Sequence, residues 1–109
     1  MSIAILTLRK YAGEVRAYGF DFSKFPEVMS GETLSSPTVT VSPTGPTIGT
    51  PTVTTVPFDP GRGAELIQTG KGVKVSVSAG TAGVSYTLTC TVTTSGGATL
   101  KILGTLAVE

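Results

Sequence analysis

From Val84 to Thr93 the chain reads Val-Ser-Tyr-Thr-Leu-Thr-Cys-Thr-Val-Thr, with an apolar residue at every even position and Ser or Thr at every odd one. A period of two held over ten residues predicts a strand with one face in a core and the other in water. Threonine suits the outer face, because β-branching favours extended backbone while the hydroxyl meets solvent. Upstream, Val73, Val75 and Val77 alternate with Lys74, Ser76 and Ser78 in the same way. Ala79-Gly80-Thr81-Ala82-Gly83 between them is small and permissive, as a tight connection requires. Thr94-Ser95-Gly96-Gly97 is a hairpin signal. The last strand then places Leu100, Ile102, Leu106 and Val108 on one face, with Gly104 in their row as a candidate bulge or close backbone approach.

The pattern is weaker upstream. Strands are expected at residues 3–9, 38–42, 52–56 and 64–69. In the first, apolar residues fall on both faces, so both can be covered. Pro43, Pro46, Pro51 and Pro57 confine the middle strands to edges or short runs, because proline cannot donate to a ladder. Tyr18, Phe20 and Phe22 share a face at strand spacing, and Phe25 follows beyond a turn. This cluster is read as core, with part of it meeting a partner as the sharper alternative. Residues 23–29 allow one short helical turn, with Pro26 near its start. These elements predict an all-β chain: an immunoglobulin-like β-sandwich of about seven antiparallel strands, with little or no helix. One domain over residues 1–109 is expected, with residues 1–12 as an added edge strand or assembly arm.

Composition narrows the chemistry. The chain holds 19 Thr, 12 Val and 10 Ser, but no His, Asn or Trp. Without His, the usual general base and the commonest metal ligand are missing, so Ser-His-Asp and Cys-His machinery is excluded. A net charge of +1 with only 14% charged residues gives no basic footprint for nucleic acid. Arg9, Lys10, Tyr11, Arg16 and Tyr18 come nearest to a basic, aromatic stripe. Glu14 and Asp21 dilute it, and it is read as a solvated face. Of seven scattered carboxylates, Asp21 with Glu27 or Glu32 offers an acid pair in principle and is read as solvated loop charges or caps, and no segment offers a calcium loop. Asp59-Pro60-Gly61-Arg62-Gly63 and Gly70-Lys71-Gly72 lack the spacing of a phosphate loop and are read as turns. Arg62 is kept as a candidate interface anchor, since Arg is enriched at interfaces. Cys90 forms no disulfide within the chain and is read as a small core residue. No signal peptide and no membrane span are found. No cofactor, metal or catalytic residue is expected.

Two segments carry a resemblance. Tyr18-Gly19-Phe20-Asp21-Phe22-Ser23-Lys24-Phe25, then Ser30-Gly31-Glu32-Thr33-Leu34-Ser35, is similar to the opening of the phage fiber–tail adaptor family of small virion proteins. Ala79-Gly80-Thr81-Ala82-Gly83-Val84-Ser85-Tyr86-Thr87-Leu88, with Thr93-Thr94-Ser95-Gly96-Gly97, resembles its second half, and together the blocks span about residues 18–108. Phe22 stands where the family usually shows Trp, residues 3–9 look added, and the Pro/Thr-rich middle is longer.

The resemblance implies an Ig-like sandwich without enzymatic activity, made in the host bacterial cytoplasm and residing in the virion. It implies a structural adaptor docking tail or fiber components. The partners expected are other virion proteins (tail, neck, fiber or capsid subunits), in a homo-oligomer within a symmetric assembly, with no nucleic acid and no membrane. Capsid decoration and a host-surface or carbohydrate-binding module are the alternatives. Candidate interface residues are Ile3, Ile5, Leu8, Tyr18, Phe22, Phe25 and Arg62, with the edge of the first strand adding to a neighbour's sheet.

Overall fold

The structure, a computed structural model, describes residues 5–42, 44–55, 57 and 67–109. Its strands are β1 (Ile5–Lys10), β2 (Arg16–Asp21), β3 (Leu34–Ser42), β4 (Thr47–Ile48), β5 (Thr52–Val53), β6 (Gly72–Ser78), β7 (Ser85–Thr94) and β8 (Thr99–Val108), with one helical turn, α1 (Pro26–Met29). They form two four-stranded sheets, one in the order β1-β8-β7-β3 and the other β2-β6-β4 with β5 also on β6. The fold is an all-β sandwich.

β7 and β8 form its spine. They pair antiparallel from Ser85↔Ala107 to Thr93↔Thr99 without a break in register. Tyr86, Leu88, Cys90 and Val92 point inward from β7, and Leu100, Ile102, Leu106 and Val108 do so from β8. The facing sheet contributes Tyr18 and Phe20 from β2 and Val73, Val75 and Val77 from β6, all buried in the same cluster. Each fully buried Leu, Ile or Val in it contributes roughly 1.5–3 kcal/mol. Phe22 and Phe25 close one end, their ring centroids 5.4 Å apart. The Asp21 side chain accepts from Ser23 N–H at 2.9 Å, which turns the chain out of β2 into α1. Pro26 opens that turn as expected.

The structure differs from the sequence pattern in four places. First, there are eight strands among the described residues, and the β1–β8 pair is parallel, from Ile5↔Leu103 to Lys10↔Val108. A parallel pair needs a long crossover, and here the rest of the domain serves as one. Second, β3 reaches back to Leu34, past Pro37, because the register shifts between Ser35 and Thr38. Ser36 sits there at φ 50°. An edge strand with a bulge tolerates a proline that a central strand would not.

Third, Gly104 is no bulge, since it pairs in register with Leu88 on one side and Leu6 on the other. Fourth, the strand expected at residues 64–69 is reduced, among its described positions, to a single bridge at Ile67 and a turn. The buried Thr54 hydroxyl donates to Gln68 C=O at 2.8 Å and accepts from Gly70 N–H at 3.1 Å, so a side chain satisfies backbone that a ladder would otherwise take. Residues 64–66 and the 59–63 turn lie outside the described residues, as does Val56 at the end of the segment that yields β5.

Two outcomes follow. A Cβ at Gly72 would stand 2.3 Å from Ile67 Cγ2 and 2.6 Å from the Phe20 carbonyl oxygen. Backbone of a paired strand cannot yield that much, so Gly72→Ala is expected to cost about 1–3 kcal/mol in urea denaturation. Burial pushes the Cys90 thiol up to about 12. A thiol reagent at pH 8 is therefore expected to leave the folded protein unmodified and to react on unfolding. Because the unfolded thiol ionises near its ordinary value, about 8.5, the Cys90 contribution to stability falls as pH rises from there toward 12.

Candidate interface

One end of the sandwich gathers side chains that its core does not use. Residues 11–15 join β1 to β2 and carry the chain from one sheet to the other. Tyr11 N–H donates to a Glu14 carboxylate oxygen at 2.8 Å, and Glu14 N–H donates to Tyr11 C=O at 3.0 Å. Gly13, at φ 92°, takes the left-handed position this turn needs. With its backbone satisfied internally, the turn holds two large hydrophobics outward: Tyr11 is 63% exposed and Val15 71%.

The wall behind them is cationic. Lys10 is 2% exposed, and its Nζ donates to Tyr11 C=O at 2.9 Å. The Arg9 guanidinium grips the Glu109 carboxylate through Nε at 2.7 Å and through Nη2. That hydrogen bond, and then the charge behind it, raise the Arg9 pKa above its ordinary value. Arg16 lies 3.7 Å from Glu14. A cavity of about 160 Å³ opens among Arg9, Lys10, Tyr11, Arg16 and Glu109. Backbone ties hold the end together: Glu109 N–H donates to Lys10 C=O and Ala12 N–H to Glu109 C=O, each at 2.9 Å. Tyr18 OH donates to Arg9 C=O at 2.8 Å, capping a carbonyl on β1.

A second surface is the outer face of the β1-β8-β7-β3 sheet. Antiparallel register sets Thr38, Thr40 and Ser42 of β3 beside Thr91, Thr89 and Thr87 of β7. Thr87 and Thr93 in turn lie beside Thr105 and Thr99 of β8. Lys101 carries the only charge on β3, β7 and β8. The face is flat and hydroxyl-rich, with little charge to desolvate on contact.

The residues singled out from sequence are placed as follows. Leu8, Tyr18, Phe22 and Phe25 are 0–7% exposed and pack in the chain's own core. Ile5 begins β1 opposite Leu103. Ile3 and Arg62 lie outside the described residues. The exposed Tyr11, Val15 and Met29 were not among the interface candidates. A signal for the first existed in the run Arg9-Lys10-Tyr11, read instead as part of a solvated face. Among the described residues, no three Cys, Asp or Glu side chains gather as metal ligands.

Comparison with known families decides the identity. A family model described as podophage GP4 fiber-tail adaptor protein gp77 matches residues 10–102, most of the chain. The chain belongs to the podophage fiber-tail adaptor family. No curated protein matches it significantly. Membership gives this adaptor a structural role in the phage tail, a place in the virion and other virion proteins as partners. The matched span opens at the last residue of β1 and closes within β8, one residue before the stretch against which β1 lies.

The Tyr18 contact generates a prediction. Tyr18→Phe removes the donor to Arg9 C=O while keeping the ring in the core. It is expected to cost about 0.5–1.5 kcal/mol and to speed amide exchange in β1. Glu109→Gln, which touches only an exposed ion pair, is expected to leave the denaturation midpoint unchanged.

Proposed function

We propose that this adaptor works as a rigid β-sandwich wedge, gripped by tail or fiber subunits at the β1–β2 end and repeated as a homo-oligomer in a symmetric assembly. The observation that carries the reading is the pairing of Tyr11 and Val15, both exposed, with Arg9 and Arg16 around a short, internally bonded turn. Interfaces concentrate their binding energy in aromatic and Arg anchors held by rigid backbone. The hydroxyl face supplies a second, broader contact that packs on another β domain. The strand order supports an immunoglobulin-type sandwich: β1 beside β8, β8 beside β7 and β7 beside β3 in one sheet, and β2 beside β6 in the other.

A carbohydrate platform needs a row of exposed aromatics, and among the described residues Tyr11 is the only large aromatic in that position. Capsid decoration would use the same interface chemistry on a different neighbour, and fractionation separates the two. A Tyr11→Ser, Val15→Ser double variant is expected to keep the wild-type melting temperature. Its incorporation into particles lacking the native chain should fall by at least about tenfold, equivalent to ~1.4 kcal/mol of binding. Wild-type protein should co-sediment with tails and not with tailless heads, and should bind no glycan on an array. Undiminished incorporation of the double variant would move the docking surface elsewhere, and recovery on isolated heads would favour decoration.

A further inference from the structure

We propose that the cavity at the β1–β2 end is a carboxylate socket: an acidic side chain of the gripping tail or fiber subunit enters it and pairs with the ammonium group of Lys10. The inference rests on the docking reading above and names the chemistry that the partner must bring to that end.

The first observation is the state of Lys10. Leu8 and Lys10 are alternate residues of β1, so their side chains leave the strand on the same face, and both are buried. Leu8 meets the apolar core. Lys10, two residues nearer the end of the sandwich, carries a charge into the same layer and is 2% exposed. A lysine is almost never buried that deeply unless it is paired. An ammonium group has three protons to donate, and the acceptor that Lys10 Nζ meets is one neutral carbonyl, that of Tyr11, at 2.9 Å. The carboxylates at this end are engaged elsewhere. Glu109 holds Arg9, and Glu14 lies by Arg16 and accepts from Tyr11 N–H. Among the described residues, no carboxylate forms an ion pair with Lys10.

The second observation is the space beside it. Lys10 lines the cavity of about 160 Å³ together with Arg9, Tyr11, Arg16 and Glu109. One water takes up about 30 Å³, so the cavity has room for a side-chain carboxylate and its stem. Both arginines on its wall already face a carboxylate, whereas the lysine does not. An anion that enters therefore finds Lys10 as the cation without an ionic partner.

Docking turns this opportunity into a requirement. In the free adaptor the cavity is the route by which water reaches the Lys10 side chain. A subunit seated on Tyr11 and Val15 closes the mouth of the cavity and displaces that water. A charge sealed away without a counter-charge is strongly unfavourable. An apolar knob in the cavity would strand the ammonium group, and a basic one would repel it. An Asp or Glu side chain compensates it, so the same lysine that stiffens the turn also selects which surface can close over it.

The first test needs neither the partner nor a variant. The isotope-labelled full chain is titrated with sodium acetate, and in parallel with sodium chloride at equal ionic strength, and followed by nuclear magnetic resonance. Acetate is expected to shift the Lys10 side-chain signals and the amides of residues 10–12 in a saturable way, and chloride is not. Lys10→Met, whose stem fills similar space without the charge, should lose the acetate response. The second test uses tails from particles lacking the native chain. Lys10→Met should bind them at least about tenfold more weakly than the wild type, and Lys10→Arg, which keeps a cation there, should restore most of the affinity. Melting curves recorded alongside show that the variants are folded, and the acetate titration of the wild type stands without them. Acetate and chloride acting alike on the wild type, or Lys10→Met binding tails as tightly as the wild type, would overturn the socket. Either result leaves the docking reading standing so long as the Tyr11→Ser, Val15→Ser variant still fails to incorporate. Undiminished incorporation of that double variant, beside an acetate response that depends on Lys10, would overturn the docking end and the acidic partner with it.

Discussion

The β7–β8 ladder is the interaction on which the rest of the molecule depends. Two ten-residue strands pair without a bulge, and their inward rows form a continuous apolar surface from Tyr86 to Val92 and from Leu100 to Val108. That surface is wide enough to receive a second sheet, and the valines of β6 with the aromatics of β2 cover it. Every other strand takes its position from this spine. β3 lies on the β7 side, and β1 lies on the β8 side, where it is reached only after the chain has crossed the sandwich.

The same alternation that fills the core leaves the outside nearly uncharged. Threonines and serines fill the outward positions of β7 and, from Thr38 on, of β3, β8 adds Thr99 and Thr105 beside Lys101, and the other charges of this sheet lie on β1. On the docking proposed above, an adaptor that packs on other β domains gains from this division. Broad faces shed few ions on contact, and oriented charges with an exposed aromatic ring gather where the chain turns between sheets. The burial of Lys10 behind Tyr11 makes that turn stiff. The lysine stem is packed, and its ammonium group holds the carbonyl of the residue that displays the ring.

Sheet edges in this fold are treated unequally. β3 is guarded by Pro37, a register shift and a left-handed Ser36, devices that prevent further strands from adding. β1 carries none of these, although the Tyr18 hydroxyl occupies one of its carbonyls.

Strand character was legible in the sequence wherever one face is dry and the other wet, because a period of two is written by that asymmetry. β6, β7, β8 and the single turn of α1 could be read in this way, and so could the burial of Cys90. β3 was read short because Pro37 interrupts the local signal, and only its place at a sheet edge, beside a bulge, makes the proline tolerable. The parallel pairing of β1 could not be read, because no local pattern encodes a partner at the far end of the chain. The tip was missed for a related reason. Tyr11, Tyr18 and Phe22 are equivalent as residue types, and whether an aromatic ring fills the core or faces a neighbour depends on which side of a turn the tertiary structure puts it. Thus the chain's own letters set which residues alternate and what chemistry is absent from them, since both are properties of side chains taken in order. Which strands meet and which ring reaches solvent were decided by packing, since burial is a relation among segments distant in sequence.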